Sequence, residues 1–280
     1  PKSLKHRIAD KLVFSKWREG LGGNMITLVS GSAALSTKLN RSFHGAGIPI
    51  LEGYGLTETS PVIAVNSFER VKIGTVGHVL DNLDVKIQAD GEITVKGPSV
   101  FQGYYKDDEK TKEAFTEDGY FMTGDIGHID EEGFLHITDR KKEMFKTSGG
   151  KYVAPQVLEN LAKGSKFIEQ IMVVGDGEKM PCALVQPDYA FAKLWAERKH
   201  LKIGKTPEEM ANSPELKARI MKDINLLNAT LGKWEQIKKI ELTPTLWTIE
   251  DGLLTPTMKL KRKAVKEKFF NLYEKLYDRA

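Results

Sequence analysis

Met25-Ile26-Thr27-Leu28-Val29-Ser30-Gly31-Ser32-Ala33 is an apolar run that ends in three small residues. It predicts a buried strand running into a tight turn. Leu35 to Ala46 then reads as a helix closed by Gly45 and Gly47, and Ile48-Pro49-Ile50-Leu51-Glu52-Gly53-Tyr54 as a second strand. Strand, helix and strand in this order, with small residues at both strand ends, predict a βαβ unit whose ligand crevice lies at the carboxyl edge.

The texture changes downstream. From Ser67 to Thr138 the chain carries short alternating runs, Leu83–Gln88, Glu92–Lys96 and Phe134–Ile137, with Asp90-Gly91, Asp118-Gly119 and Glu132-Gly133 between them. Such runs predict antiparallel hairpins, assembled as a small β-barrel subdomain over about 67–141. After Lys142 come a hairpin-like Phe145 to Val153, a helix from about Pro155 to Lys163, strands near Ile168–Gly175 and Cys182–Pro187, and a helical span from Tyr189 to Gly232 with a loop-like centre at His200 to Pro207. The expected architecture is therefore α/β plus α+β: a βαβ unit over about 24–60 and the small β-barrel, together 1–141, then a smaller carboxyl-terminal α+β lid domain over 142–280.

The bulk numbers exclude several classes. A chain of 280 residues supports two domains, and 40% hydrophobic with 29% charged residues is ordinary for a globular protein. No apolar run approaches the ~20 residues of a membrane-spanning helix. The net charge of +4 is slight and much of it sits in Lys259, Lys261, Arg262, Lys263, Lys266 and Lys268, a solvated helix face, so no nucleic-acid partner is expected. One cysteine, Cys182, excludes an internal disulfide and favours a reducing, cytoplasmic setting with a buried thiol. Pro1-Lys2-Ser3-Leu4-Lys5 has no signal-peptide apolar core and no initiator Met, which reads as an internal start. The six histidines lack metal-ligand spacing, so a catalytic zinc is not expected.

Several short segments carry chemistry. In Gly53-Tyr54-Gly55-Leu56-Thr57-Glu58-Thr59, two glycines let backbone approach a planar base, Tyr54 can stack on it, Thr57 can donate to a phosphate oxygen and Glu58 can hold a Mg²⁺. A Gly-rich turn with Thr57 or Thr59 capping a helix explains the same residues equally well in isolation. Gly31-Ser32-Ala33 can wall the base from the other side, although tight strand–helix packing alone would also select small residues there. Asp125, in Tyr120-Phe121-Met122-Thr123-Gly124-Asp125, offers a carboxylate suited to two ribose hydroxyls, or is a turn aspartate. Arg140 can reach the same ribose or a phosphate with Asp139 holding it, or form a salt bridge between barrel and lid. Lys142 is a charged connector. Lys146-Thr147-Ser148-Gly149-Gly150 is a backbone-exposed turn, and Leu254-Thr255-Pro256-Thr257-Met258-Lys259-Leu260-Lys261-Arg262 places a lysine on a Pro/Thr loop before a basic amphipathic helix.

The order of these blocks resembles the adenylate-forming enzymes, the superfamily of acyl-CoA ligases, luciferases and adenylation domains, from roughly Asn24 to Lys268; the nearest branch is the long-chain fatty acid–CoA ligases. The resemblance implies that Gly31, Ser32, Ala33, Glu52, Gly53, Tyr54, Gly55 and Thr57 bind the nucleotide, with Tyr54 against adenine, Thr57 on the α-phosphate and Glu58 on magnesium. Asp125 and Arg140 bind the ribose. Lys142 falls where the superfamily has its hinge. Lys259, on a flexible loop, would stabilise charge at the α-phosphate during adenylation. Lys146 and Ser148-Gly149-Gly150 would serve the thioester step and the pantetheine tunnel. The relatives commonly have glycine where Met258 stands, and the form Pro-Thr-x-Lys-Leu-Lys-Arg points to the long-chain branch.

ATP, Mg²⁺, coenzyme A and a fatty acid are thus the implied ligands, and only the lipid nature of the acid suggests peripheral membrane contact. The family's Ser/Thr/Gly-rich loop followed by Pro-Lys-Gly is absent, so the chain reads as the carboxyl-terminal part of a longer enzyme, inactive by itself. A ligase for a medium-chain or aromatic acid is one alternative. A catalytically silent nucleotide-binding or interaction module is the other.

Overall fold

The structure, a computed structural model, describes residues 3–279. Pro1 and Lys2, on which the reading of the amino end partly rests, lie outside the described residues. The chain divides into two compact units at Lys142/Glu143, nearly equal in length.

In the first unit, α1 (Leu4–Ala9) continues through a π-type turn over Asp10–Phe14 into α2 (Ser15–Gly20). The expected βαβ unit follows: β1 (Leu28–Ser30), α3 (Thr37–Gly45) and β2 (Ile50–Gly55), with β1 and β2 parallel and Ser30 opposite Glu52. Ser36 caps α3, its hydroxyl accepting the Leu39 N–H, a bond that satisfies an amide the helix itself leaves unpaired. Burial of the first strand is corrected. Ile26 is 76% and Val29 71% exposed, because β1 is the edge of its sheet and pairs only with β2. After a 3₁₀ turn at Thr57–Thr59, β3 (Val62–Val65) pairs antiparallel with β2 and β4 (His78–Val79) antiparallel with β3, completing this sheet.

The alternating region forms an antiparallel meander of β5 (Asp84–Ile87), β6 (Glu92–Lys96), β7 (Phe121–Ile129) and β8 (Leu135–Arg140), with α4 (Asp108–Glu113) between β6 and β7. The expected small barrel is realised as a curled half-barrel of four strands. Its last strand ties back to the first sheet, since Val76 donates to the Leu135 carbonyl and Leu135 to that of Gly77. β3 serves both cores: Ile63 packs with Leu83, Val95 and Phe121, while its neighbour Ala64 packs with Ile93 and Leu135. Adjacent strand residues point to opposite faces, so one short strand can belong to two clusters.

The second unit opens with the hairpin β9 (Phe145–Lys146) and β10 (Tyr152–Val153), followed by α5 (Pro155–Ala162). β11 (Ile168–Val174) and β12 (Cys182–Pro187) pair antiparallel. Their continuous apolar runs reflect burial on both faces. Ile171, Val173, Ala183 and Val185 pack toward α5, α6 (Tyr189–Lys199), α7 (Pro207–Ala211) and α8 (Pro214–Asn228), whose Leu216, Ile220 and Ile224 make one stripe. Met172, Val174, Cys182 and Leu184 pack on the opposite face. There they meet α9 (Arg262–Lys268) and α10 (Phe270–Leu276) through Val265, Phe269, Tyr273 and Leu276. β13 (Ile240–Leu242), parallel to β12, is a strand that sequence reading missed. Asn228 anchors its entry, donating to the Ile237 carbonyl and accepting the Ile237 N–H. Cys182 is fully buried, and that burial pushes its thiol up. Among the described residues no helix is long and apolar enough to cross a membrane.

Candidate functional site

The carboxyl ends of β1 and β2 meet, as the βαβ reading requires. A Cβ on Gly31 would lie 3.3 Å from the Gly53 carbonyl, so the two glycine segments approach closely at Gly31 and Gly53. Gly55 admits no side chain, because its Cβ would fall 1.7 Å from the Pro61 carbonyl oxygen at the β2–β3 bulge. The Glu52 side chain is engaged within the fold. Its buried carboxylate accepts the Asn40 amide at 3.0 Å and the backbone N–H groups of Leu35 and Gly74, while burial pushes its pKa up. That side chain is occupied in tying α3 and the Gly74 turn to β2.

Tyr54 reaches across to the half-barrel. Its hydroxyl donates to Asp125 Oδ2 at 2.7 Å, and burial, followed by the adjacent carboxylate, pushes the phenol far up, so it remains a donor. Asp125 is 4% exposed and stands opposite Arg140 in the β7–β8 ladder, with Arg140 Nε 3.2 Å from Oδ1. The Asp139 carboxylate accepts the Arg140 backbone N–H at 2.6 Å. The turn before Asp125 is fixed by groups the sequence reading did not single out. Thr123 Oγ1 donates to the Ile93 carbonyl and accepts the Asp125 N–H. The buried Glu92 accepts the Gly124 N–H with one oxygen and the Lys141 ammonium with the other, at 3.0 and 2.7 Å. Gly124 has φ +72°, a left-handed backbone that explains a glycine there. An acidic residue in an inward-facing strand position, as in Glu92-Ile93-Thr94, is the signal that marks Glu92.

The two threonines separate. Thr59 is fully buried, its hydroxyl accepting the Leu56 N–H and lying 2.5 Å from the Pro61 carbonyl, so it holds the turn. Thr57 is exposed and its hydroxyl makes no hydrogen bond among the described residues. Glu58 accepts the Tyr104 hydroxyl at Oε1, 3.1 Å, and its carbonyl accepts the Phe101 N–H. No cluster of three metal-ligating side chains occurs among the described residues. A magnesium ion held by one carboxylate and by substrate phosphates fits that donor set.

In the second unit, residues 147–151 close a tight hairpin: Thr147 donates to the Lys151 carbonyl, Gly150 to that of Thr147, and Ser148 to that of Glu178. A Cβ on Gly149 would meet the Thr147 hydroxyl at 3.9 Å, an ordinary contact, and Lys146 lies over the Tyr152 ring at 5.5 Å. The Lys259 loop, expected to be flexible, is a hydrogen-bonded turn. Thr255 donates to the Lys259 carbonyl at 2.8 Å and its hydroxyl accepts the Lys259 N–H, while Leu254 and Leu260 pair as a bridge. Lys259 is exposed and its ammonium has no ion pair among the described residues. Met258, 56% exposed, has φ +61°, which accounts for the glycine common at this position in the resembling enzymes. Lys142, at the boundary of the units, is likewise exposed and without an ion pair among the described residues.

Residues 3–105 match the AMP-binding enzyme family, and residues 143–280 match the AMP-binding enzyme C-terminal domain family. The chain belongs to this adenylate-forming superfamily. It is 43% identical over 275 residues to long-chain-fatty-acid–CoA ligase FadD15 of Mycobacterium bovis, covering 98% of this chain and 46% of that one. It is 38% identical over 285 residues to long-chain-fatty-acid–CoA ligase 6 of Rattus norvegicus, covering 96% of this chain and 41% of that one. The chain therefore spans about half the length of the curated relatives it matches. Among solved structures, the adenylation domain of a carboxylate reductase from Mycobacterium chelonae superimposes with a TM-score of 0.76 at 26% identity, covering 99% of this chain and 42% of that one. ATP-bound MatB from Rhodopseudomonas palustris gives 0.65 at 27% identity, covering 88% and 46%.

Proposed function

We propose that this chain serves an ATP-dependent long-chain fatty-acid–CoA ligase. In that reaction a fatty carboxylate attacks the α-phosphorus of ATP to give an acyl-adenylate and pyrophosphate, and the thiol of CoA then displaces AMP. The observation that carries the reading is the Tyr54–Asp125–Arg140 arrangement beside the paired glycine segments. Asp125 holds Tyr54 at one oxygen and Arg140 at the other, and a carboxylate is the acceptor suited to the two hydroxyls of a ribose. The close backbones of Gly31 and Gly53 leave room for a planar base against Tyr54. The unbonded Thr57 hydroxyl is available to a phosphate oxygen.

Glu58 would hold Mg²⁺, which when bound neutralises phosphate charge. Lys259 supplies the ammonium that offsets charge at the α-phosphate in the first step, and Lys146, with the Ser148–Gly150 backbone, serves the second. Lys142 is the hinge between the two states. The buried thiol Cys182 agrees with a cytoplasmic setting, and a lipid substrate with peripheral contact at a membrane surface. Because the chain spans under half of its curated relatives, we expect the isolated chain to lack ligase turnover.

The test is calorimetric titration of the chain with a nonhydrolysable acyl-sulfamoyl-adenosine, beside Asp125→Ala and a circular-dichroism check of folding. Saturable binding weakened at least ~10-fold by the substitution supports the reading, since the lost charge-assisted bonds are worth about 1.5–3 kcal/mol. Equal binding by both proteins would remove Asp125 from the pocket.

A further inference from the structure

Arg262 stands three residues after Lys259, at the first position of α9, and its guanidinium makes four hydrogen bonds. Two go to the carboxylate of Glu159 on α5, at 2.8 and 2.7 Å. One goes from Nε to Glu143 Oε2 at 3.1 Å and one to the Val173 carbonyl on β11 at 3.2 Å. Glu143 is the first residue of the second unit, directly after Lys142, and it also receives the Gln156 amide at 2.7 Å. A single planar fork thus joins the start of the unit, its first helix, its central sheet and the end of the Lys259 turn. Leu253, Leu254 and Leu260 on either side of the turn pack into the core of the unit and the Lys261 N–H donates to the Leu253 carbonyl, while the hydrogen bonds within 255–259 are internal to the turn.

We propose that Arg262 is a positioning residue that makes the Lys259 turn and the entry of the chain into the second unit one rigid piece, so that movement arising at Lys142 is carried to Lys259 without slack. The inference rests on the reading of Lys259 and Lys142 given above. Guanidinium is suited to this task because it is permanently charged and presents donors in fixed directions; lysine offers the charge as a point with no such fork. On the other side of Lys142 the neighbouring residue is also held, Lys141 by Glu92 and Asp90 at 2.7 Å each. Both neighbours of Lys142 are therefore fixed within their own units, and Lys142 is the residue between them whose side chain is bound to neither.

Hydrogen exchange on the intact 280-residue chain tests the proposal, with Arg262→Lys as the main variant because it leaves a cation beside the buried Glu159. The expected result is that amides of 255–261 and of 144–146 exchange together, at least ~10-fold faster than in the parent, while 183–185, which no bond of the fork touches, keep their protection. Unchanged exchange in both segments, acceleration of only one of them, or an equal loss of protection throughout the unit would each overturn it. Glu143→Ala, which keeps the Arg262–Glu159 pair, is expected to speed 144–146 and leave 255–261 slow; acceleration of 255–261 to the same degree would also count against the arrangement. Lys259→Ala should leave every segment as it was. Its effect on ATP–pyrophosphate exchange in an enzyme carrying this chain then judges the role of Lys259 separately from the clamp.

Discussion

Tyr54 and Asp125, 71 residues apart, are joined by a hydrogen bond of 2.7 Å that links the parallel strand pair to the half-barrel. Each partner also faces a ligand in the reading proposed above, so the bond holds the two walls of the pocket at a set distance. Tyr54→Phe keeps the ring and removes the donor. Hydrogen bonds to charged groups contribute about 1.5–3 kcal/mol, and the variant should lower the midpoint of urea unfolding accordingly. Binding of the adenylate analogue should weaken less than in Asp125→Ala, because the stacking face remains. A loss as large as that of Asp125→Ala would show that the hydroxyl, rather than the ring, carries the contribution of Tyr54.

The glycines flanking Tyr54 have different reasons to be glycine. Around Gly53 a Cβ would meet Val65 Cγ2 at 3.5 Å and the Ala64 carbonyl at 3.6 Å, ordinary contacts, so Gly53→Ala should fold. At Gly55 the added carbon would collide with the Pro61 backbone, and Gly55→Ala should cost at least ~2 kcal/mol as the bulge shifts. Circular-dichroism melts of both variants check the contrast. If Gly53→Ala folds normally yet loses the adenylate analogue, the close approach at that position belongs to the ligand.

Met258 carries the left-handed backbone of the Lys259 turn on an exposed side chain. That conformation costs a non-glycine residue about 1–2 kcal/mol, against about 0.5–1 kcal/mol of extra chain entropy that glycine loses on folding. Met258→Gly is therefore expected to be neutral to stabilising by about 1 kcal/mol in urea unfolding, and Met258→Val to be clearly destabilising. A marked loss of stability in Met258→Gly would mean that the methionine side chain packs in solution.

Local chemistry was legible wherever pattern and turn residues agreed. The alternating run from Glu92 to Lys96 and the continuous apolar run at Cys182 to Pro187 are strands, and the helical span breaks at His200 to Pro207 as its charged centre suggests. What sequence reading missed depends on partners distant in the chain. The exposure of Ile26 and Val29 follows from β1 being a sheet edge, which its apolar composition does not reveal. β13 spans three residues, Ile240–Leu242, too short for a period to show, and is fixed by pairing with β12 and by Asn228. The Tyr54–Asp125–Arg140 set was visible as separate motifs, and its geometry came only with the ladder that places Arg140 opposite Asp125. Glu92 and Arg262 were hidden for a related reason: a charged residue in a strand or at the head of a basic helix reads as solvated until its partner is seen.

Glu159 and Arg262 make stability depend on pH with a definite sign. Burial pushes the Glu159 carboxyl up to about 7, while Arg262, the Val173 N–H and, more weakly, Lys163 on the same helix pull it back. The charges around it are Arg262 from α9, Lys163 from α5, Glu169 acting on Lys163 from β11, and Glu143 on the far side of Arg262. A carboxyl whose folded value lies above its unfolded value of 4.5 favours folding in its protonated form. Its contribution is therefore fully present below about pH 4.5 and is lost as pH rises to about 7. Removing Arg262 takes away the largest influence opposing the rise, so in Arg262→Gln the carboxyl should remain protonated well above pH 7. The parent pair is ionised and mutually bonded at pH 8, and breaking a buried pair costs about 3–5 kcal/mol. At pH 5.5 Glu159 is largely protonated in both proteins, so the variant loses the guanidinium's bonds without breaking an ionised Arg262–Glu159 pair, and the cost is smaller. Urea unfolding of parent and variant at the two pH values should thus show a deficit that grows with pH, and Glu159→Gln should abolish the growth. A deficit equal at both would mean that Glu159 is ionised throughout, with the Arg262 fork outweighing its burial.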